Sequence, residues 1–302
     1  MLILTIWPLF ALICLGYVLA RAGFPEPGFW PAAERMNYFI LFPALLVASL
    51  MNAPVRDPAI LKLGAAAIAT VCIASLFMLV ARRIRGVPAS RFGPALQGVV
   101  RFNTYLGLAI VTSLSGPEGI GRAAVYLAVT VPLVNVLSII ALTEANALRD
   151  PLGLGRAMLR NPLILACIVG IVLALSGIGL PFGGGTFLEL LARGSLPLGL
   201  LCVGAALRPV AMRKDVVALV GNGALRLLAM PVLAAGVAAL FGLGATEAMV
   251  LVVFSAIPTA PTAYVLTRQL GGDGTFMAGL VTAQTLAAVA TIPLILLMLG
   301  IG

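Results

Sequence analysis

The sequence predicts an all-α integral membrane protein. It is expected to hold ten transmembrane helices in two inverted five-helix repeats, with the fourth and ninth helices discontinuous and crossing. Three observations predict this. Of 302 residues, 62% are hydrophobic and only 10% charged, far from the balance of a soluble domain. Pro8, Gly16, Val18-Leu19-Ala20, Gly23 and Pro43 recur 154 positions later (162 − 8) as Pro162, Gly170, Val172-Leu173-Ala174, Gly177 and Pro197, the mark of a duplicated unit. Basic residues, finally, alternate between crowded and sparse loops along the chain.

A helix needs ~20 apolar residues to cross a bilayer. Runs of that length fall at 3–21, 32–51, 59–81, 93–114, 120–143, 162–180, 187–207, 216–241, 246–269 and 275–299. The first begins at Met1-Leu2-Ile3-Leu4, without the basic n-region or cleavage site of a signal peptide, so it is expected to be a span. The second carries Pro43 and the third is unbroken. The fourth contains Arg101-Phe102-Asn103-Thr104-Tyr105-Leu106-Gly107, where an Asn-Thr pair competes with helical hydrogen bonding. The fifth holds Pro132 and Asn135.

A polar segment, Glu144 to Asn161, then separates a first repeat (1–148) from a second (149–302). The sixth span is continuously apolar from Leu163 to Ile178, unlike the alternating ~10-residue strands of a membrane β-barrel. Pro197 marks the seventh, Arg226 and Pro231 the eighth, Pro258 and Pro261 the ninth, and Pro293 the tenth. Proline inside a span removes a backbone hydrogen bond. Hydrocarbon tolerates the loss only where protein or a watery cavity surrounds it. Two prolines three apart are expected to break the ninth helix. Five spans per copy is odd, so the second copy enters the membrane in the opposite direction.

The loop charges point the same way. Arg21, Arg35, the Arg82–Arg91 and Arg149–Arg160 clusters, Arg208, Arg213, Lys214 and Arg268 share one side; Arg56, Lys62, Arg122 and Arg193 share the other. The positive-inside rule puts the crowded side in the cytoplasm and both termini outside, in the periplasm of a bacterial inner membrane. The net charge of +9 therefore reports topology and some attraction to anionic lipid, not a nucleic-acid footprint.

Discontinuous helices at matching places in two halves point to a midplane binding site. Arg101 sits eight residues beyond Gly93, roughly 12 Å into the membrane at ~1.5 Å per residue. An arginine there faces a cavity or partner, or else snorkels back to the interface. Facing a cavity, its guanidinium suits a carboxylate. Asn103, Thr104, Tyr105, Pro258, Thr259, Pro261 and Thr262 flank the two breaks as substrate-contact candidates. Asn135, Arg226, Gln284 and Thr285 are candidates for pathway or ion contact, although neighbouring carbonyls would serve Arg226 equally well. Asn222, one turn before Arg226, is a candidate partner for it.

Other chemistries find no support in the sequence. With no histidine, imidazole catalysis and histidine metal sites are excluded. Cys14, Cys72, Cys167 and Cys202 lie within spans and read as small apolar fillers. The ten acidic residues fall in loops or at span ends, so no mid-depth carboxylate is expected. Gly153-Leu154-Gly155 and Gly183-Gly184-Gly185 lack a Walker lysine and read as loops. No cofactor, metal or enzymatic activity is expected.

Four segments carry a resemblance over essentially the whole chain. They are Met36-Asn37-Tyr38-Phe39-Ile40-Leu41-Phe42-Pro43-Ala44-Leu45-Leu46, Arg101 to Leu108, Ile257 to Leu266 with Gly271-Gly272-Asp273, and Gln284-Thr285-Leu286 with Pro293. In their order and spacing they resemble the auxin efflux carrier family of membrane transporters, in its bacterial branch, with a fold shared with bile-acid–sodium symporters. The resemblance implies a scaffold of spans 1, 2, 6 and 7 and a transport domain of spans 3–5 and 8–10. It also implies a homodimer, elevator-like movement and small organic anions as cargo. The chain lacks the plant exporters' long central loop and their Asn-Pro-Asn at the crossings, so phosphorylation control and auxin itself are not carried over.

The expected function is a secondary active or facilitative transporter of a mono- or dicarboxylate by alternating access. A sodium-coupled symporter with Gln284 and carbonyls at the ion is the alternative of the same class. A membrane anion sensor or scaffold without transport is the alternative of another class.

Overall fold

The computed structural model describes residues 2–26, 28–51, 57–143, 161–177, 179–180 and 183–300. The centre of the segment between the two halves, with Arg149, Arg156, Arg160 and Gly153-Leu154-Gly155, lies outside these residues, as does Arg56.

Among the described residues all regular structure is helical. The helices are α1 Leu2–Arg21, α2 Phe29–Met51, α3 Pro58–Arg85, α4 Ala89–Val100, α5 Thr104–Thr143, α6 Pro162–Ser176, α7 Gly184–Ala205, α8 Val216–Leu240, α9 Ala245–Ala256, α10 Thr262–Gln269 and α11 Gly274–Met298. Six described segments are long and apolar enough to cross a membrane: α2, α3, α7, α8, α11, and α4 with α5 taken together. Shorter apolar helices include α6 and α9. Bulky side chains on the outside, such as Leu61, Phe77 and Ile84 of α3 and Val217 of α8, are exposed, as expected of lipid-facing surface.

Local chemistry fixes the ends. Asp57 caps α3 by accepting from the Ala59 N–H at 2.9 Å, with Pro58 as the first helical residue, where its missing N–H costs nothing. Asn161 and Pro162 do the same for α6, its Oδ1 accepting from the Leu163 N–H at 2.9 Å. The Gly183 cluster is not a loop: Gly183 caps α7, while Gly184 and Gly185 form its first turn. Without Walker context, nothing prevents those glycines from entering the helix. Within α5, Gly116 (φ 54, ψ −144) before Pro117 divides the helix into two arms. That conformation is open to glycine alone at low cost.

Glycines also set the closest helix approaches. Gly16 of α1 lies directly against the Leu201 backbone of α7, and Gly204 of α7 against the Ile13 carbonyl of α1. In matching fashion, Gly170 of α6 lies against Leu50 of α2, where an added Cβ would be 2.6 Å from the Leu50 Cβ. Small residues of this kind let membrane helices pack backbone to backbone. Asn37 and Ser195 add polar glue between α2 and α7: Nδ2 donates to the Ser195 carbonyl and the Ser195 hydroxyl donates to Oδ1, both at 3.0 Å.

Candidate functional site

Two helix interruptions meet in the buried interior of the bundle. Helix α4 ends at Val100 and α5 starts at Thr104, while α9 ends at Ala256 and α10 starts at Thr262. The Asn103 N–H donates to the Pro258 carbonyl at 2.8 Å, joining one break to the other. Asn103 also caps α5, its Oδ1 accepting from the Leu106 N–H at 3.2 Å. This is the N-cap geometry that favours asparagine.

A helix end leaves carbonyls without intrahelical donors, and inside a membrane each needs a substitute. Buried side chains from α8 and α11 supply them. Arg226, 1% exposed, donates through Nε to the Ile257 carbonyl at 2.7 Å, through Nη1 to Val99 at 2.9 Å and through Nη2 to Phe254 at 2.6 Å. Its three nitrogens thus hold the C-terminal ends of α4 and α9 together. Gln284 Nε2 donates to the Gly98 carbonyl at 2.9 Å and to Asn222 Oδ1 at 3.0 Å. Its Oε1 accepts the Thr259 N–H at 3.0 Å, and the Thr259 hydroxyl lies 2.9 Å from the Gly98 carbonyl. Asn222 Nδ2 completes the set by donating to the Ala95 carbonyl at 2.8 Å.

These contacts redirect several candidates named from sequence. Arg226 meets backbone carbonyls rather than the cavity between the breaks, and Asn222 partners Gln284 rather than Arg226. Thr259 and Gln284 are buried in the network behind the site. The Thr285 hydroxyl returns to its own helix at the Val281 carbonyl, 2.7 Å away. Pro258 contributes its carbonyl to Asn103. For Arg226, Thr259 and Gln284 the demand of a broken helix end for donors decides where the side chain goes.

The other candidates gather around a cavity of about 60 Å³. Arg101, Asn103, Thr104 and Tyr105 line it from the first break, Pro261 and Thr262 from the second, and Asn135 from the far arm of α5. Arg101 Nη1 donates to Gln97 Oε1 at 3.3 Å. Gln97 is itself fixed by the Thr267 hydroxyl at 2.9 Å, so the guanidinium is oriented with most of its donors unpaired among the described residues. Asn103 Nδ2 is buried with no hydrogen-bond partner among the described residues. The N-termini of α5 and α10 both border the cavity, and helix N-termini carry partial positive charge and open N–H groups. The sum is an enclosed, donor-rich space suited to an anion.

Sequence reasoning missed Glu34 and Tyr38 of α2, which line the same cavity. Glu34 looks like a span-end residue, but α2 starts at Phe29 and the cavity reaches that end of the helix. Glu34, Tyr38, Arg101, Asn135 and Thr262 also line an adjoining groove of about 590 Å³. A second groove of about 820 Å³ lies one helical turn away in the other direction: Ala109 follows Tyr105, Leu45 follows Phe42, and Leu200 precedes Val203. Between them Phe42 and Tyr105 meet edge to face at 5.0 Å, and Leu46, Leu106 and Leu200 are fully buried.

A helical bundle with an anion-suited cavity between broken helices and a groove on either side has the form of a membrane transport protein. Residues 153–296 match the family model described as "Membrane transport protein". Over 298 residues the chain is 25% identical to an "Uncharacterized transporter" of Methanothermobacter thermautotrophicus, covering 96% of each sequence. The chain is thus similar to membrane transporters over most of its length, and its long apolar helices are those of a multi-pass membrane protein.

Proposed function

We propose that the protein moves a small organic anion, a mono- or dicarboxylate, across a bacterial inner membrane by alternating access around the cavity between the two breaks. The observation that carries this reading is the unpartnered Asn103 amide beside Arg101, at a point bordered by two helix N-termini. A buried donor without an acceptor is costly, and a bound carboxylate would satisfy it together with the free guanidinium donors. Thr104, Tyr105, Pro261 and Thr262 shape the site, with Asn135 on the far wall.

The accompanying architecture is ten crossings. Helix α4 with the first arm of α5 forms one broken span, α9 with α10 another, and Gly116 starts the next after the first. Two features support the inverted duplication. Gly16 and Gly170 are repeat mates and make reciprocal close contacts, with α7 and with α2. The broken helices occupy corresponding places. In this arrangement α1, α2, α6 and α7 are the scaffold, the remaining spans the mobile domain, and two copies pair in the membrane with their termini in the periplasm.

Flux of radiolabelled mono- and dicarboxylates into proteoliposomes tests this reading. Arg101→Ala is expected to lower flux at least tenfold; unchanged flux in a folded variant overturns it.

A further inference from the structure

Resting on that anion site, the geometry points to a regulator of it: we propose that Glu34 is a titratable counter-ion whose protonation accompanies anion binding. Glu34 and Arg101 line the same cavity and the same adjoining groove, yet no ion pair within bonding distance joins them. No hydrogen bond to the Glu34 carboxylate is present among the described residues either. Among the described residues lining these two spaces, Glu34 is the one carboxylate.

Among the described residues lining the two spaces, the other ionisable groups are Arg35 and Tyr38 on its own helix, Arg101 at the first break, Tyr105 of α5 and Cys202 of α7. Of these only Arg101 and Arg35 are charged at neutral pH, and Arg35 is exposed. An ionised Glu34 therefore offsets the cationic character that Arg101 and the helix ends give the cavity. An entering carboxylate then meets a like charge in an enclosed space, where screening is weak. Two carboxylates in one site raise each other's affinity for a proton. Binding the anion thus takes up one proton on a Glu34 oxygen, and by linkage acidification strengthens binding. Because Glu34 stands on α2 and Arg101 on the broken helix, the effect belongs to the conformation that brings the two walls together.

Binding of benzoate and succinate to the purified full-length protein is measured by thermal shift from pH 7.0 to 8.5, where both probes are almost fully ionised. Affinity is expected to fall as pH rises, approaching tenfold per unit at the alkaline end, and Glu34→Gln is expected to bind tightly without that slope. Titration calorimetry of the wild type in buffers of different ionisation enthalpy reads the proton directly, should the variant fail to fold. Anion binding with no proton uptake overturns the proposal while leaving the anion site intact. A slope that persists in folded Glu34→Gln overturns it as well. A wild-type preference for the zwitterion glycine over acetate, lost in Glu34→Gln, overturns it by making Glu34 a fixed partner for an ammonium group. Absence of binding by either carboxylate at any pH defeats the anion site itself, and this proposal with it.

Discussion

Arg101 and Ile257 hold the same backbone conformation, φ −81 and ψ 151 at the first, φ −81 and ψ 154 at the second, each ending a twelve-residue helix. They stand 156 positions apart (257 − 101), close to the 154-residue spacing of the repeated punctuation. One backbone device is therefore used twice with different side chains. At the first break the side chain is a guanidinium that enters the cavity. At the second it is a fully buried isoleucine, and its carbonyl is bound by Arg226. The charge of the site comes from one half alone.

Arg226 should be among the residues on which stability depends most. Arg226→Ala strands the carbonyls of Val99, Phe254 and Ile257 in a dry interior. Hydrogen bonds to charged groups contribute about 1.5–3 kcal/mol each, and they do not add fully. A loss of about 3 kcal/mol or more is expected, read as a lower unfolding midpoint in detergent. Arg226→Lys offers a compact ammonium in place of the planar fork and should recover only part of it. A lysine variant as stable as the wild type would show that the three-carbonyl grip is not what holds the helix ends.

Gly98 tests the polar network behind the site. Its missing side chain leaves room for Asn222, and an added Cβ would collide with the Asn222 Oδ1 and lie 3.1 Å from the Leu280 Cδ1. Gly98→Ala should push Asn222 off Gln284 and cost about 1–3 kcal/mol, the usual range for overpacking. Gly221→Ala, where a Cβ meets nothing within 4 Å, serves as the matched control and should be neutral or mildly stabilising by helix propensity. Equal midpoints for the two variants would mean the network yields without loss.

The contrast between Pro258 and Arg226 shows what the sequence could and could not reveal. Proline carries its effect in its own covalent structure, so Pro258 and Pro261 announce a broken helix without any knowledge of neighbours. The Asn103-Thr104 pair is a weaker signal of the same kind, because both residues favour caps. Arg226 looks the same in sequence whether it faces a ligand or three carbonyls. Its acceptors are backbone atoms, and backbone atoms have no sequence identity. Asn222 invited pairing with a residue one turn away but is bonded to Gln284 on α11, 62 positions on. Glu34 reads as a boundary residue, and only the depth of the cavity alongside α2 makes it part of the site.

Asn103 separates capping from ligand binding in a single position. Asn103→Asp keeps an oxygen for the Leu106 N–H, and aspartate caps helices about as well as asparagine, so the unfolding midpoint should hardly move. The same change replaces the unpartnered amide with a carboxylate oxygen beside the anion. Carboxylate binding should fall at least tenfold. If Asn103→Asp binds benzoate or succinate as well as the wild type, the amide is not a contact for the anion.

At the end of the bundle marked by Arg91, a charge cluster makes stability depend on acidity with a definite sign. Arg91 Nη1 reaches Asp215 at 2.9 Å and Asp273 at 2.8 Å, residues that precede α8 and α11. The hydrogen bond from Arg91 holds the Asp215 carboxyl below its ordinary range. For Asp273, burial pulls upward, but the Phe276 N–H and Arg91 together outweigh it, and the net shift is again downward. A carboxylate depressed in the folded state contributes stability above its unfolded pKa and loses it as pH falls through the folded value. The unfolding midpoint should therefore decline on acidification through and below the usual carboxylate range. The loss should be small, because the side chains are 33%, 40% and 30% exposed at Arg91, Asp215 and Asp273 and exposed pairs are weak. Arg91→Gln should lower the midpoint at neutral pH and flatten the acid limb. The difference between variant and wild type should shrink toward zero once both aspartates are protonated. A difference that stays constant from neutral to acid pH would assign the effect of Arg91 to its packing over the Phe276 ring, 4.4 Å away, rather than to its charge.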